Sequence, residues 1–330
     1  MTRCRPAWLF LLLCLLCNGA LVPRAIAQTD PSVPPPVANQ SMSDAWWTGP
    51  MLANSAETLP PGHFLFEPYL YDIRSPGNDS FGSRTYILYG LADRLSIGLI
   101  PVFGYNRVNN GHSSASIGFG DLTLQAQYRL TEFQPGSRIP TTAIMLQETL
   151  PTGRYDQLGS RPSDGLGGGA YTTTLALNSQ MYFWMPNGRI LRERFDISGS
   201  FSRTANVEGV SVYGTDSGFR GTARPGRSFS ADLAFEYSVT QRWVLALDLT
   251  YSYNSNTRVN GVDLLSSPNG LPYVQNVALS SGASEAYGVA PAIEYNWTPR
   301  IGVLLGTRII FGGHNTVGTV TPAIALNYVY

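Results

Sequence analysis

From Gly62 to the end of the chain, apolar and polar side chains alternate in short runs. The clearest lies between Gly120 and Leu130. Leu122, Leu124, Ala126, Tyr128 and Leu130 share one face, and Asp121, Thr123, Gln125, Gln127 and Arg129 share the other. A period of two belongs to a strand, since a helix would bring apolar residues back every three or four. Trp243–Tyr253, Phe229–Val239 and Tyr287–Trp297 repeat the pattern. Weaker versions occupy 63–72, 84–91, 94–104, 141–150, 170–183, 190–202 and 300–311, and adjacent Gln147 and Glu148 leave the register of 141–150 open. The last run, Thr319–Tyr330, ends the chain on an aromatic. These are twelve predicted strands.

The connections alternate between two kinds. Leu91–Arg94, Thr131–Ile139, Met185–Arg189, Val239–Arg242 and Trp297–Arg300 are mostly short. Ile73–Ser83, Tyr105–Ser116, Pro151–Gly169, Arg203–Gly226 and Asn254–Ser284 are longer and rich in Gly, Asn and Ser. Tight turns at one end and long loops at the other mark a transmembrane β-barrel. An even strand number then puts both termini on the turn side, which is the periplasmic side. A soluble sandwich would alternate too, but its second face would not carry full charges on nearly every strand. Outward aromatics gather at strand ends. Tyr128, Trp243, Trp297, Tyr328 and Tyr330 form a predicted belt at the turn end, and Tyr171, Phe229, Tyr251 and Tyr287 form one at the loop end, as lipid interfaces select. Pro101, Pro291 and Pro322 stand against a closed sheet, which has no edge to hide a missing N–H. The predicted fold is all-β, a transmembrane antiparallel up-and-down barrel of about twelve strands, spanning 62–330.

Composition agrees. Only 13% of the residues are charged, with 34 glycines and 18 tyrosines, and the formal net charge is zero, giving no case for nucleic-acid binding. Residues 1–27 have the plan of a secretory signal peptide: Arg3 and Arg5, an apolar run from Trp8 to Cys17, and Ala25-Ile-Ala27 before Gln28. All three cysteines lie within it, so the exported chain is predicted to hold no disulfide and no thiolate metal site. Residues 28–61, with Pro34-Pro-Pro36 and Pro60-Pro61, are expected to form a Pro-rich periplasmic tail. Trp46-Trp47 and Met51-Leu52 are its apolar anchors, able to dock on the rim or enter the lumen.

Several phrases then recur in order: Thr58-Leu-Pro-Pro-Gly-His63, Tyr89-Gly-Leu-Ala-Asp-Arg-Leu95, Gly118-Phe-Gly-Asp-Leu122, Leu150-Pro-Thr-Gly153 and Gly313-His-Asn-Thr316. Over 46–330 the chain resembles the bacterial outer-membrane family named for a meta-pathway of phenol degradation, whose members carry the label "transporter". The resemblance implies an outer-membrane location and passage of aromatic compounds, and it carries no catalytic residues.

The candidate functional residues are those whose parity faces the lumen: Arg84, Asp121, Gln125, Arg129, Arg192, Arg194, Asp196, Asp232, Glu236, Asp248, Glu294 and Arg308. They are expected to line a narrow pore, with Arg194 near Glu236 as a wall-bracing ion pair. The expected function is a porin-like channel for small aromatic or hydrophobic solutes, without cofactor or enzymatic activity. Its expected partners are outer-membrane lipid, the solute, and barrel-assembly machinery that recognises the C-terminal strand. A rival reading takes Gly111-His-Ser-Ser-Ala115 as the site of a lipid hydrolase, with Ser114 activated by His112. Another takes the barrel as a non-conducting structural or adhesive one. His63 and His314 fall at opposite ends, so the three histidines are not expected to share a metal.

Overall fold

In the computed structural model, which describes residues 37–267 and 269–330, the chain from Asn39 onward forms one unit. The predicted signal peptide lies outside the described residues. Twelve antiparallel wall strands close into a barrel. They are β1 (Phe64–Ser75), β2 (Asn78–Ala92), β3 and β4 (Leu95–Ile100, Val102–Val108), β5 and β6 (Gly118–Phe119, Leu122–Thr131), β7 (Thr141–Leu150) and β8 (Thr172–Trp184). After β9 (Ile190–Ser202), β10 (Ala205–Glu208) and β11 (Phe219–Arg224), the wall continues with β12 (Ser228–Ser238) and β13 (Trp243–Asn254). It ends, after β14 (Arg258–Ser266) and β15 (Pro272–Ser280), with β16 (Ser284–Thr298), β17 (Ile301–His314) and β18 (Thr319–Val329). Each wall strand pairs with its neighbours, and β1 closes the sheet onto β18, with Leu65 opposite Val329 and Arg74 opposite Val320.

The alternation sorts the side chains as the pattern predicts. Leu70, Leu146, Leu175, Leu245 and Leu305 point outward and are at least half exposed, while Glu236, Asp248 and Glu294 point inward and are fully buried. An exposed apolar band around buried carboxylates has lipid as its outer solvent. Each proline sits where a ladder is interrupted. Pro101 separates β3 from β4, and the β16–β17 register skips Ala290 and Pro291. The β1–β18 register skips Glu67 with Pro68, and again Asp72 with Ile73, opposite Pro322 and Thr321.

Three expected long loops are corrected. Ile73–Ser83 is almost all strand, because Pro76-Gly77 makes a tight turn in which Gly77 takes a φ of +89°. Within Arg203–Gly226 and Asn254–Ser284, the segments β10, β11, β14 and β15 pair into a separate four-stranded sheet at the loop end. Its apolar face is covered by Tyr155 and Tyr213, which pack on Val207, Phe219, Ala223 and Val259. Of the missed strands β10 and β11 are short, at 4 and 6 residues, and the apolar rows of this sheet meet loop residues that no local period reveals.

Candidate functional site

The stretch expected as a tail is in large part internal. Residues 40–62 enter at the turn end, cross the lumen and return to begin β1. At entry, Gln40 accepts from the Trp184 indole at 2.9 Å and Trp46 donates its N–H to Gln241 at 3.0 Å. The Arg192 guanidinium lies 4.5 Å from the Trp47 ring centroid. On return, Leu59 N–H donates to Ser96 Oγ at 2.8 Å and Gly62 N–H to the Gly90 carbonyl at 2.9 Å.

The lumen carboxylates hold this plug. Glu236 takes both nearby arginines: Arg192, directly opposite on β9, donates two hydrogen bonds, and Arg194 Nε lies 3.1 Å from Oε2. The expected Arg194–Glu236 pair is therefore present, sharing its carboxylate with Arg192. Three further acids, Glu294, Asp248 and Asp196, take plug N–H groups instead. Glu294 accepts from Thr48 and Gly49 at 2.7 and 3.3 Å. Asp248 accepts from Met51, Leu52 and Ala53 at 3.1, 3.1 and 2.9 Å, and Asp196 from Asn54 at 2.5 Å. Arg194 closes the arrangement by donating to the Ala53 carbonyl at 3.0 Å. A buried carboxylate must be paired or hydrogen-bonded, and an irregular segment must place its N–H groups somewhere. Each satisfies the other.

Small residues make the room. A Cβ at Gly302 would collide with Thr48 Oγ1, and one at Gly90 with the Pro60 carbonyl. Met51 packs on Ala290, Leu304, Ala323 and Ala325. Further along the plug, Gln127 donates to the Ser55 and Glu57 carbonyls, and the Glu57 carboxylate accepts from Gln180 and Tyr182.

A second insertion comes from the loop end. The loop between β7 and β8 folds inward, so that Leu166 lies over Gly104 and Gly118. Asp121 fastens it, accepting from Gly153 and Gly168 at 2.9 and 2.7 Å. Tyr213 donates from outside to the Gly168 carbonyl, and burial beside Asp121 pushes its hydroxyl up to about 12, which keeps it a donor. Asp121 is thus a loop anchor rather than an open pore wall. Arg129 is at the turn-end rim, 3.2 Å from Glu132, and Gln125 accepts from Gln147 across β6–β7, which settles Gln147 as inward.

Between the two insertions lie the predicted residues that remain free. Arg84 falls on β2 between Gly90, which the plug touches, and Gly82, which faces Gly104 under the folded loop. Arg308 is close enough to Asp232, Asp248 and Arg84 to feel their charges. Asp232 Oδ1 and Arg308 Nε have no hydrogen-bond partner among the described residues. Tyr71 and Tyr86 stand beside Arg84, and the hydroxyl pairs Ser198–Ser230 and Thr174–Ser200 face them from β8, β9 and β12.

The belt residues lie outward at strand ends, with rings packed across strands. Trp243 and Tyr295 are 4.7 Å apart by centroid at the turn end with Trp297 packed on Tyr295, Tyr128 is exposed in the same belt across the barrel on β6, and Phe64 packs on both Tyr328 and Tyr330. At the loop end Tyr251 contacts Phe229 and Tyr287, and Tyr171 is exposed. Ser114 is not arranged as a nucleophile. Its buried hydroxyl accepts from Asn106 N–H and donates to the Ser163 carbonyl at 2.7 Å, while His112 contributes only its carbonyl, to Ser163. Among the described residues no three His, Cys, Asp or Glu side chains group as metal ligands.

A family model described as "Putative MetA-pathway of phenol degradation" matches residues 50–321. Among solved structures, an outer membrane channel from Pseudomonas putida F1 superposes with a TM-score of 0.62 at 15% identity, covering 85% of this chain and 100% of that one. The NanC porin matches at TM-score 0.44 and 10% identity over 80% and 98% of the two chains. The beta domain of the Bordetella autotransporter BrkA gives 0.43 and 9% over 82% and 100%. No curated protein sequence matches the chain.

Proposed function

The chain belongs to that phenol-degradation family, and from this premise we propose that it is a passive outer-membrane channel for small aromatic solutes bearing a polar or anionic group. Both termini face the periplasm and the long loops face outward. The observation that carries the reading is the chamber between plug and folded loop, where Arg84, Arg308 and Asp232 face the lumen beside Tyr71 and Tyr86. Tyrosine rings accept an aromatic face, and guanidinium groups attract a carboxylate or phenolate oxygen without a catalytic step. Two arginines against one free aspartate give the chamber an anion preference, and selectivity arises there as it does in any pore ringed by fixed charge.

Planar-bilayer recordings under a salt gradient test this, together with swelling of liposomes in benzoate or in a neutral sugar. The expected result is anion-selective conductance with faster entry of benzoate. Replacing Arg308→Glu should reverse the selectivity. A refolded chain that neither conducts nor passes benzoate would overturn the reading. We propose further that barrel-assembly machinery takes up the closing strand β18 through Tyr330, so deleting this residue should lower the yield of folded barrel in cells.

A further inference from the structure

The outer face carries a site that the lumen does not explain. Tyr171 stands directly before β8 and Arg203 directly after β9, and Arg203 donates its N–H to the Tyr171 carbonyl at 2.8 Å, so the two residues are cross-strand neighbours. The Arg203 guanidinium lies 5.9 Å from the Tyr171 ring centroid. One step along the sheet the same device is repeated. Ser228 of β12 is opposite Ser200 of β9, which sets Arg227 against Phe201, and the Arg227 guanidinium lies 5.6 Å from that ring. Tyr171 and Phe201 are outward belt residues, 47% and 52% exposed, so both arginines are carried on the lipid-facing side at headgroup depth. Neither arginine has a carboxylate within 4.0 Å among the described residues. An acid near them on this face, Glu148 of β7, instead accepts from the Thr173 hydroxyl at 2.6 Å.

We propose that Arg203 and Arg227, stacked on Tyr171 and Phe201, bind the phosphate groups of an anionic lipid of the outer leaflet, the phosphorylated glucosamine headgroup of lipid A. Stacking orients each planar guanidinium and leaves its N–H edges free for phosphate oxygens, which it matches in pairs. An arginine at this depth meets headgroups rather than bulk water, where an anionic leaflet adds its own attraction. Acyl chains would descend over Phe229 and Ile197, on the outward parity of the same strands. The proposal rests on the assignment of the loop end to the outer leaflet.

The test uses the full exported chain refolded in nanodiscs of phosphatidylcholine doped with bisphosphorylated lipid A, with retained lipid counted by native mass spectrometry. The double variant Arg203→Gln/Arg227→Gln should retain about tenfold less lipid A, a loss of roughly 1.4 kcal/mol. Arg300→Gln, at a turn-end rim, should retain as much as the unaltered chain. Arg203→Lys/Arg227→Lys, which keeps charge and loses the planar fork, should fall between, and serves if the glutamine variant folds poorly. Equal retention by the double variant overturns the proposal. So does equal retention of dephosphorylated lipid A, or preference for phosphatidylglycerol, which would place the site in the other leaflet. Displacement by inorganic phosphate alone would show a free-anion site and also overturn the lipid assignment. Conductance recorded from the same preparations reports separately on the channel reading.

Discussion

Asp248 is where a single side chain decides most. One oxygen accepts from Leu52 and Ala53 and the other from Met51, so three plug N–H groups depend on one carboxylate. Hydrogen bonds to charged acceptors are each worth about 1.5–3 kcal/mol, and deletion leaves buried donors unpaired. Asp248→Ala should therefore weaken docking of the plug by on the order of 3 kcal/mol, roughly a hundredfold in the docked-to-free ratio. Bilayer recordings should show frequent small increments of conductance absent from the unaltered channel, small because the folded loop held by Asp121 still covers the other end. Asp248→Asn keeps the oxygen that serves Leu52 and Ala53 and should fall between. Were Asp248→Ala as quiet as the parent, the carboxylate would not be what holds the plug. Ser114 makes a contrasting case. With its hydroxyl bonded on both sides, Ser114→Ala should remove no esterase activity. It should instead loosen the folded loop by about 1 kcal/mol, visible as faster tryptic cleavage after Arg154, which is exposed in the same loop.

At the scale of elements, the wall was legible because a membrane barrel imposes one rule on every strand: lipid on one side and lumen on the other. Leu122–Leu130 and Trp243–Tyr253 carry that rule without an error, and the barrel reproduces their parity. The plug obeys no such rule. Its anchoring contacts are made by backbone N–H groups, which every residue except proline has, so Met51–Asn54 carries no periodic signal. What the sequence does hold is indirect. Asp196, Asp248 and Glu294 face inward without matching arginines, and inward glycines such as Gly302 and Gly306 leave space that a packed wall would fill. The residues facing the lumen were thus identifiable, but what occupies it was not. This makes a sharp test available, since no cysteine lies beyond residue 17. A cysteine placed by Ala53→Cys should resist thiol reagents, because Ala53 is buried against the wall. Adding Gly302→Val, whose side chain would occupy the place of Thr48, should make it react. Equal rates in the two backgrounds would mean that the glycine does not seat the plug.

For the molecule as a whole, the two insertions act along one path. The plug fills the turn-end half and is fastened by Asp196, Asp248 and Glu294, while the loop with Leu166 covers the other end and is fastened by Asp121. Resistances along a single path add, so the narrower barrier dominates and removing either one alone leaves the other in control. Deleting residues 40–57 should raise conductance only modestly, and so should deleting 158–166. Deleting both should give a conductance well above the sum of the two single effects. The wall should tolerate the deletions, because its ladders from β1 to β18 close without either insertion. The buried carboxylates, however, would then rely on water that enters with the opened pore. Single-channel recordings on the three deletions decide the matter. If the plug deletion alone reached the conductance of the double deletion, the loop would be no barrier, and the chamber holding Arg84 and Arg308 would already be open to the outside.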